Sequence, residues 1–319
     1  MLSPAFFLLC SLASPITAAF VKSQFPSGVK GFSYDANDDF GSRFPQAKAL
    51  GFNSVRTFTA IAPGSNPPQP LGAFAAAHAS DMTILVGLYL SAGDAAFQRE
   101  LAALEAAIKD PVYGSDLFPN KIVGITVGNE DLYRQSANDP KLGAGDSVEN
   151  IIKYVGQTRD LLRKYKLDTK IPVGHAETWS EWSNWDHSAP LLPKLDYAAL
   201  NSFPYWEGHK VEDGQWAYEG AIRVSEEAAA QFKNGNDVVP VWASETGWPT
   251  KGGTIGDAEA NVDNARTYYK NVGCGTLFSK KRNAWWFNLY GVGAGVDAGI
   301  SWGVADAGGK ALFDLKCQS

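Results

Sequence analysis

The chain has 319 residues, 45% hydrophobic and 19% charged, with a formal net charge of −6. That balance describes a chain able to bury a sizeable core and excludes a disordered one. With no basic cluster to offset the negative charge, nucleic acid and anionic membranes are disfavoured as partners.

In chain order, MLSPAFFLLCSLASPITAAF comes first, with a short apolar stretch from Ala5 to Ala13. Thr17 and Ala19 then stand at −3 and −1, so residues 1–19 read as a signal peptide despite the absence of an early Lys or Arg. The run is too short to cross a bilayer, which takes about 20 apolar residues. KALFDLKCQS at the other end is short and mixed, so no membrane or glycolipid anchor is expected. A secreted protein follows as the expectation.

From residue 29 onward, eight strand-like runs appear: GVKGFSYD, NSVRTFTA, MTILVGLYL, KIVGITVGNE, KIPVGHAET, DYAALNSFPYW, VVPVWASETG and AWWFNLYG. Helical patterns lie between them. In AAFQRELAALEAAIKD, Phe97, Leu101, Leu104 and Ile108 share a face. DSVENIIKYVGQTRDLLRKYK offers Asp146 as N-cap with Glu149 placed for a capping box. Alternating strands and helices imply a parallel sheet, since each parallel pair needs a crossover. Eight units in about 300 residues suit an α/β fold, a single (β/α)8 TIM barrel with its cleft at the C-terminal ends of the strands. An open doubly wound sheet is the alternative, because alternation does not prove closure. APGSNPPQP, residues 62–70, reads as a loop, not a boundary, and residues 20–319 read as one domain.

Two acids end strand runs: Glu130 the fourth and Glu245 the seventh. Side-chain alternation groups Gly124, Thr126 and Gly128 with Glu130, and Val241 and Ala243 with Glu245. These small residues suit a barrel interior. Val123, Ile125, Val127 and Trp242 would then face the helix layer, and both acids the mouth. Two facing carboxyls can cleave a glycosidic bond, one kept protonated as acid and the other ionised as nucleophile. About 5 Å apart they retain stereochemistry, whereas a wider gap admits water and inverts it. The ordinary alternative is that each Glu satisfies an Arg or Lys.

Cys10 leaves with the signal, so Cys274 and Cys317 remain as an even pair that forms a disulfide or stays as two buried thiols. Four scattered His residues offer no metal site, and no cofactor is expected. Ten tryptophans are many, and an indole gives a flat face for a sugar ring. Trp179, Trp182 and Trp185 recur every third position, which reads as one helix face packed on the barrel.

VGNE at one strand end, SETGWPTKGG at a later one, NSFPYW between them and GFSYD near the start resemble glycoside hydrolase family 17. These are the β-1,3-glucanases and glucanosyltransferases of plants and fungi. SETGWP is the most specific piece; GNE alone is shared by many barrel glycosidases. The resemblance implies a (β/α)8 barrel acting on β-1,3-glucan, with Glu130 as acid/base and Glu245 as nucleophile. It also implies substrate-binding roles: Tyr34 near the cleaved sugar, Asn129 on its 2-hydroxyl, and Tyr205 and Trp206 in the cleft wall. Trp248 joins this set. Core capping is the alternative for Tyr34, and turn formation for Asn129. Arg56 is placed to hold Glu245 ionised or to make a structural ion pair. Asn288 stands where many members carry acids near the eighth strand, which puts the subsites on that side in question.

The leading expectation is a secreted, monomeric, retaining endo-β-1,3-glucanase, with a glucanosyltransferase using the same intermediate as the near rival. A glucan-binding protein without turnover is less favoured because both acids are retained. A dinucleotide site at GVGAG, residues 291–295, lacks a following helix and a ribose-binding acid.

Overall fold

β-Branched and apolar runs such as IVGITVGN favour extended backbone, and eight of them pair edge to edge. The computed structural model describes residues 26–234, 237–291 and 299–317. The expected leader, Cys10 and most of the GVGAG run lie outside the described residues. The strands are β1 (Lys30–Ser33), β2 (Ser54–Arg56), β3 (Thr83–Leu88), β4 (Ile122–Asn129), β5 (Val173–Thr178), β6 (Tyr197–Asn201), β7 (Val241–Thr246) and β8 (Ala284–Trp286). Each lies parallel to its sequence neighbour, and β8 returns to β1 with Lys30 opposite Ala284. The sheet is therefore a closed barrel, and the open alternative falls away.

Helices between the strands bury one face against the barrel. Asp94–Ile108 buries Phe97 and Leu104 as its periodicity predicts, while Leu101 and Ile108 pack half-buried beside them. Val148–Lys164 starts one residue later than expected. Its N-cap is Ser147, whose hydroxyl accepts from the Asn150 N–H, while Asp146 accepts from the Ser147 N–H and the Asn150 side chain. Beyond β7 an antiparallel hairpin, Lys251–Ile255 with Ala258–Asn261, stands on the rim. Cys274, in the π-helical segment Tyr269–Phe278, is disulfide-bonded to Cys317 with the Cα atoms 5.2 Å apart. The bond ties the chain's last residues to the helix layer.

The barrel's interior departs from the alternation argument. Val29, Leu85, Val123, Ala176, Tyr197, Ala199, Trp242 and Trp285 form their own buried cluster, apart from the larger layer between strands and helices. Tyr197 and Trp242 stack there with centroids 3.9 Å apart. Glycines opposite the rings make room: a Cβ on Gly31 would lie 2.3 Å from Trp285, and one on Gly174 2.5 Å from Tyr197. Trp242 and Val123 thus point inward, contrary to expectation, and Ala243 packs in the outer layer. Bulges are the cause. On β6, Leu200 pairs with Ala243 but the next residue, Asn201, pairs with Glu245. The extra residue on β7 resets its alternation and turns Glu245 inward although Trp242 is inward too. A similar shift on β4, between Ile122 and Gly124 against β3, puts Val123 inside.

Candidate active site

Glu130 follows the last residue of β4 and precedes the helix Asp131–Ala137, with φ at +57°. Side chains other than glycine rarely hold that conformation, which therefore needs support. The support is a buried polar cluster. Asp131 accepts from the Asn129 N–H at 2.7 Å, and Glu177 accepts from the Leu132 N–H at 2.6 Å. His175 bridges the Val127 carbonyl (2.5 Å) and Glu177 (3.1 Å). Asp131, His175 and Glu177 are all fully buried. Neighbouring β5 adds the bond from the Glu130 N–H to the Ala176 carbonyl.

Glu245 arrives on bulged β7 and meets Arg56, the last residue of β2. Arg56 donates from Nη1 to Glu245 Oε1 at 2.5 Å and from Nη2 to Asn129 Oδ1 at 2.7 Å. It is 1% exposed, so little solvent screens this contact. Asn201, the last residue of β6, joins the whole set. Its Nδ2 lies 2.9 Å from Glu130 Oε1, 3.1 Å from Glu245 Oε1 and 3.0 Å from Asn129 Oδ1. Ser244 donates to Asn201 Oδ1 at 2.7 Å, which fixes the amide with its nitrogen toward the acids. Because one oxygen of each carboxyl touches this nitrogen, those two oxygens are at most about 6 Å apart, which fits the close spacing of a retaining pair.

The electrostatics separate the two acids. Withdrawal from water, then the charge of Glu245, then that of Glu177 push Glu130 up to about 7, while the Asn201 hydrogen bond acts the other way. Glu245 instead has a guanidinium as permanent counter-charge. One group is set to hold a proton near neutrality, and its partner faces a cation.

A cleft of about 570 Å³ opens over the pair. Glu130, Glu245 and Asn201 form its floor, and Trp179, Trp206, Phe203, Phe287, Trp302 and Tyr133 are among its walls. Trp206 is 39% exposed. Trp302 Nε1 and Ser202 Oγ, both in the lining, have no hydrogen-bond partner among the described residues. Arg56, Asn129, Glu130, Glu245 and Trp206 are thus brought together. Tyr34, Tyr205 and Trp248 are buried outside the lining: Tyr34 packs edge-on against Phe44, Tyr205 donates to the Gly253 carbonyl, and Trp248 donates to the Glu259 carbonyl. Trp179, Trp182 and Trp185 do not share one packed face. Two short helices, Trp179–Ser183 and Trp185–Leu191, turn Trp182 into the core, Trp179 to the cleft and Trp185 to solvent.

Sequence reasoning passed over Asn201, Trp302 and Phe287. Asn201 carried a usable signal, since it is a polar residue that ends an apolar strand, as Asn129 is. Trp302 carried none, lying well beyond the last strand.

Comparison with known proteins gives this geometry a family. A relative in Aspergillus fumigatus, named as a probable glucan endo-1,3-beta-glucosidase eglC, is 35% identical over 292 residues, covering 88% of this chain and 61% of that protein. The chain thus spans about three-fifths of that relative's length. An active-site mutant of Rhizomucor miehei beta-1,3-glucanosyltransferase, solved with laminaritriose, superposes with a TM-score of 0.68 at 22% identity, covering 93% of this chain and 98% of that one. A beta-1,3-glucanase and allergen of Cryptomeria japonica pollen gives 0.67 at 17%, covering 90% and 98%. At these identities the two structures speak for the fold alone. The model of the BtgE/BtgC glycoside hydrolase domain matches residues 30–291, nearly the whole of the barrel, and the chain belongs to that family.

Proposed function

We propose that the chain is a secreted, retaining endo-β-1,3-glucanase of glycoside hydrolase family 17, with residues 1–19 as leader and 20–319 as the catalytic unit. Its substrate is β-1,3-glucan, the polymer in the names of its relatives. Glu130, protonated near neutrality, gives its proton to the glycosidic oxygen as the bond breaks. Glu245 attacks the anomeric carbon and forms a covalent glycosyl-enzyme. Glu130, now ionised, takes a proton from a water that releases the sugar with its configuration retained. Asn129 has its oxygen occupied by two donors, so its NH2 is the group left to meet a sugar hydroxyl. Trp206 and Trp179 offer ring faces to the chain.

One observation carries this reading: a single amide nitrogen spans both carboxyls, an arrangement that fits a closely spaced retaining pair. The test is incubation with laminari-oligosaccharides, following product length and anomeric form by NMR. Shorter products released first as β-anomers are expected. First-formed α-anomers would overturn the mechanism, and products longer than the substrate would assign glucanosyl transfer instead.

A further inference from the structure

A second groove, of about 780 Å³, lies on the β1–β3 side of the rim and is not used by the site above. Phe58 and Tyr89 give it ring faces, and Asp35, Asn37 and Asn66 line it with polar groups. Tyr89 is 45% exposed, which leaves a large aromatic surface open among the described residues. Phe58 lies two residues past Arg56, whose guanidinium sits over its ring at 4.7 Å. The same guanidinium bonds Glu245 and Asn129. A single side chain therefore connects this groove to the carboxylate pair.

The groove is also braced. Glu100, only 3% exposed, accepts from the Thr59 hydroxyl at 2.5 Å and the Ala60 N–H at 2.7 Å, and it bonds the Tyr89 backbone. Beside it, Arg99 donates to the Ser65 carbonyl at 2.8 Å and to Asn66 at 3.3 Å. Burying a carboxyl with no cation against it is costly and needs donors in return. Here those donors are the loops that hold Phe58 and Tyr89. The proline-rich segment 62–70, tied down by Arg99, forms one bank. The result is a fixed aromatic shelf with polar edges, suited to a pyranose that has a flat apolar face and a rim of hydroxyls.

We infer that Phe58 and Tyr89 form a distal saccharide subsite, which holds glucose units of the same β-1,3-glucan chain some distance from the bond cut between Glu130 and Glu245. The assignment rests on the glucanase reading and extends it: chain length is sensed on the β1–β3 side of the barrel. Tyr89 acts through its ring face, and Glu100 and Arg99 position the shelf without touching sugar.

The test is kcat/KM across laminari-oligosaccharides of three to seven units, for the unmodified enzyme, Tyr89→Ala and Tyr89→Phe. The unmodified enzyme should gain with length. Tyr89→Ala should lower the ratio of kcat/KM for the hexaose to that for the triose about tenfold, in line with the loss of one stacked ring. Tyr89→Phe, which keeps the ring, should hold most of that ratio. A Glu245→Gln background should show the same tenfold weakening in Kd for the hexaose when Tyr89 becomes Ala. A flat length profile, or a ratio that Tyr89→Ala leaves unchanged, overturns the subsite and leaves the glucanase reading standing. No turnover of any length by the unmodified enzyme overturns both.

Discussion

Replacing Arg56 with Met tests the division of labour between the two acids most directly. Arg56 lies 2.5 Å from Glu245 in a setting where neither side chain is more than 7% exposed. At an effective dielectric constant of about 20, unit charges about 4 Å apart attract by about 4 kcal/mol. Water entering the space left by the guanidinium and the remaining Asn201 bond offset part of this. A fall in kcat/KM of about 10²–10³-fold near pH 6 is expected. The pH profile should change in a specific direction. The basic limb reports the proton on Glu130, held near 7 partly by the charge of Glu245. Loss of the guanidinium leaves the Glu245 charge unopposed beside Glu130, so the basic limb should move to higher pH. The assay is kcat/KM from about pH 4 to 9 on a soluble laminari-oligosaccharide, with thermal unfolding alongside to confirm that the barrel is folded. A folded Arg56→Met enzyme with the unmodified enzyme's profile, within about twofold, would refute the reasoning.

Asn201→Ala should raise the basic limb above about 7, because the Asn201 hydrogen bond, more than the Arg134 charge, draws Glu130 downward. A rate loss of about 10–100-fold should accompany it, since both carboxyls lose a donor and Ser244 loses its acceptor; the same kcat/KM profile reads both effects. Glu130→Gln should inactivate the enzyme yet stabilise it at neutral pH. Folded Glu130 keeps its proton up to about 7, whereas an unfolded Glu releases it at its ordinary value of 4.5. Stability is therefore lost as pH rises across that interval, and Gln removes the loss. A gain of about 1–3 kcal/mol by urea unfolding at pH 8, absent at pH 4, is expected. An equal difference at both pH values would contradict it.

Strand order, closure and the two acids were legible because they depend on local patterns: apolar runs, crossover spacing and a charged residue where a run stops. What the residues face was less legible. Alternation assigned Trp242 to the helix layer, and a bulge between Ala243 and Glu245 reversed that assignment while leaving Glu245 in the mouth. Bulges leave no trace in composition, so period-two counting fails on the very strands that carry the acids. The tryptophans from 179 to 185 failed for a related reason. Their spacing suggests one continuous helix, and the break at Asn184, which caps the second helix, gives each ring a different environment. Asn201 ends its strand inside the run DYAALNSFPYW, whose aromatic continuation hides the strand end. The start of the helix Val148–Lys164 is a smaller case of the same kind: Asp146 and Ser147 are both good caps, and only the backbone shows that Ser147 serves.

The rings inside the barrel have a consequence for how such a sequence can change. Trp285 fits against Gly31, and Tyr197 against Gly174, on different strands. Any side chain added at either glycine collides with its ring, and a smaller residue in place of the ring opens a void beneath the mouth. Drift in this lining must therefore proceed by matched exchanges between distant positions, and the spacing of those exchanges should be visible wherever many variants of this chain are sampled together.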